Sequence, residues 1–198
     1  MSRKAYSEEE RENIRVGLMD RAKSLFSEKG IRDTNIDEIY APLGISKTFF
    51  YSFFPTKSHL ATSIVEREMA RIGELFRDNV WKYGAENGMR ETFREVISGR
   101  YYVLSMDDQA YLRGQMTEED LMRFRNDVIV LFSDILYTVG VPASSLDPRV
   151  FCNLVMSVLT TRMADEDSLV LTYPEASEDA TDIQLETLVS LVMGKRVR

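Results

Sequence analysis

Apolar residues recur at steps of three and four along the whole sequence, which is the spacing of amphipathic helices. No segment shows the strict alternation of apolar and polar residues that predicts a half-buried strand. The first stripe follows Ser7 and Glu10, whose spacing is that of a capping box. Its apolar members are Ile14, Leu18, Ala22, Leu25 and Phe26. The pattern therefore predicts an all-α chain.

Helix stop and start signals divide the first sixty residues into three helices. Gly30 stands where a left-handed C-terminal cap is expected for the first helix. Thr34 is the predicted N-cap of the second helix, and Gly44 the turn that ends it. Ser46 is the predicted cap of a short third helix that runs to Phe54. The arrangement is that of a three-helix N-terminal domain.

The rest of the chain reads as a helical body. A long fourth helix is predicted from about Lys57 to Tyr83, with a turn between Gly84 and Gly88. Further helices are predicted at about 89–106, 117–139, 148–165 and 179–193. We therefore predict two domains, 7–60 and 61–198, which are joined through the fourth helix.

The third helix separates its residues into two chemically different faces. At helical spacing, its phenylalanines all fall on one side. The opposite side carries Lys47, Thr48, Tyr51 and Ser52. The aromatic side is expected to pack on the first two helices, which leaves the polar side outward. A helix of this size fits a DNA major groove, about 12 Å wide, and its first turn, with Lys47 and Thr48, is the part usually presented to bases.

The charge of the chain is unevenly distributed. The net charge is −7, but residues 1–60 hold ten basic and nine acidic side chains and carry +1. The acidic excess therefore belongs to the body, and the N-terminal domain is free to approach phosphate. On charge alone, nucleic-acid binding is neither favoured nor excluded.

Residues spaced along the N-terminal domain form one extended pattern. They are Ala22, Leu25, Phe26, Gly30, Thr34, Ile39, the run from Leu43 to Lys57, and Leu60. In this pattern the segment resembles the N-terminal domain of the tetracycline-repressor (TetR) family of bacterial regulators. The resemblance implies an N-terminal helix-turn-helix domain on a helical ligand-binding and dimerisation domain. It places the third helix in the major groove of double-stranded DNA.

The resemblance also implies roles for individual residues. Lys47 and Thr48 would lie near bases, while Tyr51, Lys57 and the start of the second helix at Thr34 would lie on phosphates. Ser46 and Ser52 complete the predicted DNA-binding set. Members of the family are mostly homodimers that bind a palindromic operator and release it on binding a small molecule. A ligand-responsive repressor is therefore the predicted function.

The chain departs from the family pattern at a few positions. Tyr40 and Leu43 are bulkier than the alanine often found there. Pro42 removes a backbone donor in the last turn of the second helix, which should end early or distort. Thr48 and Phe53 stand where a small residue and a histidine are frequent, so Thr48 leaves the details of base contact open.

The body carries two features that bear on partners. Its aromatic and methionine side chains are candidates for lining a pocket for a small apolar or aromatic effector, or they form the core. They are Trp81, Tyr101, Tyr102, Met106, Tyr111, Met122, Phe124 and Met156. The last two helices carry apolar faces that would form a four-helix homodimer interface, or cover the chain's own core. These faces are Val150, Leu154 and Val158, and Ile183, Leu188, Leu191 and Val192.

Other classes of protein fit the sequence less well. His59 is the only histidine and Cys152 the only cysteine, and no Gly-rich phosphate loop or nucleophile elbow occurs. We therefore expect neither an enzyme nor a bound metal or cofactor. The N-terminus has no apolar signal core, and no membrane-spanning run occurs, so a cytoplasmic protein is expected. The alternative function is a helical protein-interaction module that has lost DNA binding.

Overall fold

α-Helices account for most of the residues that the computed structural model describes, which are 6–164 and 171–194. The first four helices, α1–α4, are Glu8–Asp33, Ile36–Tyr40, Lys47–Tyr51 and Lys57–Glu95. The last four, α5–α8, are Met106–Gln115, Glu118–Thr138, Pro148–Met163 and Ser177–Val192. The described ranges contain no strand, which confirms the all-α prediction. Within them, no helix has both the length and the apolar character needed to cross a membrane.

The first helix begins as the sequence predicts and ends differently. The Ser7 hydroxyl accepts from the Glu10 amide at 3.1 Å, and the Ser7 amide donates to the Glu10 carboxylate at 2.8 Å. Gly30 interrupts the helical geometry with a φ of 79° and a ψ of 164°. The predicted left-handed cap is therefore wrong, because its ψ would lie near 50°. The chain instead has one non-helical residue, Gly30, followed by a further helical turn that ends at Asp33.

The extra turn after Gly30 moves the start of α2 by one residue. Asn35, and not Thr34, is the N-cap, and its side chain accepts from the Asp37 amide at 3.1 Å. The Glu38 carboxylate completes a capping box by accepting from the Asn35 amide at 3.0 Å. Thr34 is only 2% exposed, and its hydroxyl donates to the Gly30 carbonyl at 2.7 Å. The prediction that Thr34 caps the second helix is therefore wrong.

Pro42 has the effect that its missing backbone donor predicts. α2 ends at Tyr40, and a 3-10 turn over Ala41–Leu43 replaces its last turn. Gly44 then adopts the left-handed conformation, with a φ of 68° and a ψ of 20°. The turn delivers the chain to Ser46, whose side chain caps α3 by accepting from the Phe49 amide at 3.2 Å. The helix is shorter than the predicted span to Phe54.

The chain divides into two compact units. The first unit combines the segment that ends at Arg67 with Tyr102–Leu121, which contains α5. The division predicted from the sequence, 7–60 and 61–198, places residues 102–121 in the body, and α5 is not among the predicted helices. The fully or almost fully buried side chains at the centre of this unit include Leu18, Ala22, Phe26, Ile39, Phe50, Leu60, Tyr102 and Leu112.

The second unit contains Glu68–Tyr101 and the chain from Met122 onward. Gly84 breaks α4 with a φ of 77°, as the predicted turn requires. Gly88 lies in a helix and not in the turn, and a Cβ there would come within 2.6 Å of the Val80 Cα. The helix predicted at 89–106 instead gives way to a π-helical turn at Val96–Arg100. α7 and α8 pack against each other.

Candidate DNA-binding surface

Most of the predicted DNA-binding side chains lie together on the outside of α3. The exposed members of the set are Ser46, Lys47, Thr48, Tyr51 and Ser52. On the opposite side of the same helix, Phe50 is completely buried, and Phe54 just beyond it is 2% exposed. The two-sided pattern in the sequence is therefore present in the fold, and it leaves a polar ridge facing solvent.

The aromatic side of α3 is fixed by the chain around the start of α1. Phe49 and Phe53 are half-buried and contact each other edge to face at 5.0 Å between ring centroids. Tyr6, just before α1, stacks on Phe49 at 4.8 Å with an interplanar angle of 18°. Aromatic pairs of this geometry stabilise beyond the area that they bury. Ring contacts with the chain before α1 thus hold the aromatic side of the short α3.

Lys47 lies beside an acidic side chain of α2. Its ammonium is 3.7 Å from the Asp37 carboxylate, and both side chains are more than half exposed. Asp37 also accepts a hydrogen bond from the Tyr40 hydroxyl. Burial raises the pKa of Tyr40, and this hydrogen bond raises it further. An exposed ion pair contributes little to stability. The Lys47 ammonium therefore remains able to turn toward another hydrogen-bond acceptor.

The start of α2 does not offer the phosphate site predicted at Thr34. The Asp37 amide is already bonded to Asn35, and the Thr34 side chain is buried. The Glu38 carboxylate stands at the same end, and hydrogen bonds from Lys29 and the Asn35 amide lower its pKa. Satisfied amides and nearby carboxylates both oppose the binding of an anion.

Lys57 is held inside the first unit. Its ammonium donates to the backbone carbonyls of Arg32 and Thr34 at 2.9 and 3.0 Å. It also lies 5.4 Å from the centre of the Tyr111 ring. Burial lowers the pKa of Lys57, although nearby Asp33 and Asp108 oppose the shift. The ammonium therefore joins the end of α1 to the start of α4, a role that the sequence does not predict.

His59 and Cys152, the two residues considered for catalysis, make contacts that are typical of structural residues. The His59 ring nitrogen lies 2.8 Å from the Thr56 hydroxyl, which also accepts from the His59 amide at 3.1 Å. These contacts cap the start of α4. Cys152 is half-buried, and burial raises the pKa of its thiol. The described residues contain no cluster of three or more His, Cys, Asp or Glu side chains arranged to hold a metal ion.

Residues 18–64, which contain α2, α3 and most of α1, match the family model of bacterial regulatory proteins of the tetR family. In this N-terminal segment the chain is therefore similar to regulators of the tetR family. Over 75 residues it is 35% identical to the HTH-type transcriptional regulator AcrR of Shigella flexneri. This match covers 38% of the chain and 34% of the relative, so the chain spans about a third of the length of the curated relative that it matches.

Two solved structures share the fold of this chain over almost its whole length. NemR of E. coli in its reduced form has a TM-score of 0.51 at 15% identity, with 91% of this chain and 96% of that chain covered. A TetR transcriptional regulator from Legionella pneumophila has a TM-score of 0.50 at 14% identity, with 97% and 98% covered. The likeness extends the shared fold beyond the matched N-terminal segment.

The sequence does not predict every feature of the N-terminal domain. The spacing of Asn35 and Glu38 is that of a capping box, and it marks the true start of α2. Nothing in the sequence predicts that Tyr6 stacks on Phe49, because helical spacing does not show which residues of different elements contact each other. The candidate pocket residues of the body differ widely in exposure and are divided between the two units. Tyr102 is buried in the first unit, whereas Trp81 of the second is 89% exposed.

Proposed function

We propose that this chain is a sequence-specific DNA-binding transcriptional regulator of the tetR family. The observation that carries the proposal is the exposed polar ridge of α3, backed by the completely buried Phe50. A ridge that is polar outward and anchored inward is what insertion into a major groove requires. Lys47 and Thr48 in the first turn would read bases, and Tyr51, with Ser46 and Ser52 at the two ends, would meet phosphate oxygens.

Lys57 has a different place in this proposal from the one that the resemblance implies. Two of its three donors already serve the carbonyls of Arg32 and Thr34. We assign Lys57 chiefly to positioning the start of α4, with its remaining donor directed to a phosphate. Thr34, whose side chain is buried, contributes through its backbone carbonyl to the same joint and not through its hydroxyl.

The proposal is tested by selection from a pool of random double-stranded DNA with the full chain. The expected result is enrichment of one sequence with two inverted half-sites, whose centres lie about one or more helical turns apart. Affinity for the enriched duplex should fall steeply as salt rises. Enrichment of no sequence, together with weak dependence on salt, would favour the protein-interaction module instead.

The homodimer forms the second part of the proposal. On α7 and α8, Val158 and Leu188 are buried, while Val150 is 50% and Ile183 is 69% exposed. The outward residues are the surface available to a second copy. Leu191→Asp should convert a sedimenting dimer to a monomer, whereas Tyr137→Asp, which alters an exposed side chain of α6, should not.

Repression and its release by an effector complete the proposal. They are supported by the family resemblance and by the apolar side chains of the body. The test is a reporter gene under a promoter that contains the enriched sequence. Expression should fall when the chain is present. It should recover on addition of an apolar aromatic compound that lowers the affinity of the purified chain for the duplex.

A further inference from the structure

Lys57, the cation predicted to meet the DNA backbone, is largely engaged within the protein, and two other lysines near α3 lie beside carboxylates. Lys57 donates to two carbonyls, and Lys47 lies beside Asp37. Lys29 pairs with Glu38 at 2.7 Å at the start of α2. The phosphates along the edge of a bound recognition helix would therefore need another cation.

Arg11 is placed to supply it. Its guanidinium lies 4.8 Å from the centre of the Phe53 ring and 5.5 Å from that of Phe49. Both rings belong to the aromatic side of α3 and its immediate continuation. The side chain is exposed and, among the described residues, has no acidic partner in an ion pair. Arg15, one turn further along α1, differs because it pairs with Glu12 at 3.4 Å.

The position of Arg11 is fixed from two sides. The capping box of Ser7 and Glu10 sets the first turn of α1, and the Arg11 amide closes that turn on the Ser7 carbonyl at 2.9 Å. The rings then hold the flat guanidinium by cation–π attraction, which leaves its N–H donors at the rim free to bind. Tyr6 stacks on the same Phe49 ring, so α1, α3 and the cation form one joined edge.

We propose that Arg11 binds a phosphate of the DNA backbone beside α3, and so acts as a DNA-contact residue outside the helix-turn-helix. The inference rests on the proposed function. A guanidinium held on the rings of the recognition helix moves with that helix and meets the strand that lines the groove. Since phosphate carries no base identity, the contact would strengthen binding to every sequence alike.

The test compares Arg11→Gln, Arg11→Lys and the wild type by fluorescence anisotropy between about 50 and 200 mM salt. The probes are two labelled duplexes of roughly 30 base pairs, about three helical turns. One has an arbitrary sequence and the other is the enriched one. Arg11→Gln should lower the slope of log affinity against log salt by about 0.9 per protomer on both duplexes. Arg11→Lys should restore most of the slope, because it keeps the charge.

The matched control is Arg113→Gln, which removes an exposed guanidinium that pairs with Glu118 at 3.1 Å. Its slope should equal that of the wild type. If Arg11→Gln lowers the melting temperature but leaves the slope unchanged, Arg11 is only a packing residue and the inference is wrong. If the wild type itself binds neither duplex in a salt-dependent way, the proposed function fails and the inference fails with it.

Discussion

The carboxylate of Asp108 accepts a 2.7 Å hydrogen bond from the backbone amide of Ile31, and both residues are buried. Ile31 is the first residue after the break at Gly30, so its amide has lost the partner that a continuous helix would provide. Asp108 is itself held in the first turn of α5, where its amide donates to the Ser105 hydroxyl at 3.1 Å. The bond thus joins two segments of the first unit that are far apart in the sequence.

Asp108→Ala should destabilise the chain by about 1–3 kcal/mol, because it leaves the buried Ile31 amide without an acceptor. Asp107→Ala is the matched control. It removes an exposed carboxylate from the same turn and should change stability by less than about 0.5 kcal/mol. Urea denaturation of both variants measures the difference. Equal losses would show that the Asp108 bond contributes nothing specific.

Lys57→Met should destabilise the chain by about 1–2 kcal/mol, because the carbonyls of Arg32 and Thr34 lose their shared donor. Lys29→Met removes an ammonium that forms an exposed pair with Glu38, and it should cost no more than about 1 kcal/mol. Denaturation at neutral pH compares the two variants. A larger loss for Lys29→Met would contradict the bracing role of Lys57.

Two glycine substitutions should have opposite effects on stability. In Gly88→Ala, the new methyl group would lie 2.6 Å from the Val80 Cα, and this backbone atom cannot move aside cheaply. Overpacking of this kind costs about 1–3 kcal/mol. Gly114 lies in α5 with open space around it, so Gly114→Ala should stabilise by about 0.4–1 kcal/mol. Thermal melts of the two variants should shift in opposite directions.

Asp147 makes stability depend on pH in the acid range. Hydrogen bonds from the side chain and backbone of Arg149 lower its pKa from 3.8 to about 2. A carboxyl whose pKa is lower in the folded state contributes stability above its unfolded pKa, and that contribution is lost as pH falls toward the folded value. Asp147→Asn should therefore flatten the stability profile between pH 3.8 and about 2. If Asp147→Asn leaves the acid part of the stability profile unchanged, the Asp147–Arg149 ion pair does not persist in solution.

Lys47→Ala should change which duplex sequence is preferred, since a lysine in the first turn can reach guanine acceptors. Each base read in this way contributes about 1–3 kcal/mol of discrimination. Ser52→Ala is the control, because Ser52 is assigned to phosphate, and a phosphate contact does not discriminate between bases. Repeating the selection with both variants measures the preference. The assignment of Lys47 to bases is wrong if Lys47→Ala enriches the same duplex sequence as the wild-type protein.

Local signals in the sequence predict local structure well. The Ser7–Glu10 box, the early end of α2 at Pro42 and the start of a helix at Pro148 are each confirmed. Each depends on hydrogen bonds or backbone limits within a few residues. The exposure of Lys47 and its neighbours follows in the same way from helical spacing.

Contacts between distant residues account for what the sequence does not predict. Nothing near Gly30 indicates that Asp108 accepts the amide of the residue after it. Nothing near Lys57 shows that the carbonyls of Arg32 and Thr34 surround its ammonium. Gly88 reads as a turn residue, although its lack of a side chain serves close packing against Val80.

The return of the chain through Tyr102–Leu121 also constrains the order in which the protein can fold during synthesis. A ribosome that has reached Arg67 has made all of the polar ridge of α3, but it has not yet made Tyr102, Leu112 or Asp108. Until those residues emerge, the Ile31 amide and part of the apolar core stay in water, and closing contacts over so long a loop is slow. A nascent chain therefore displays its candidate DNA-reading helix before the domain beneath it can be complete.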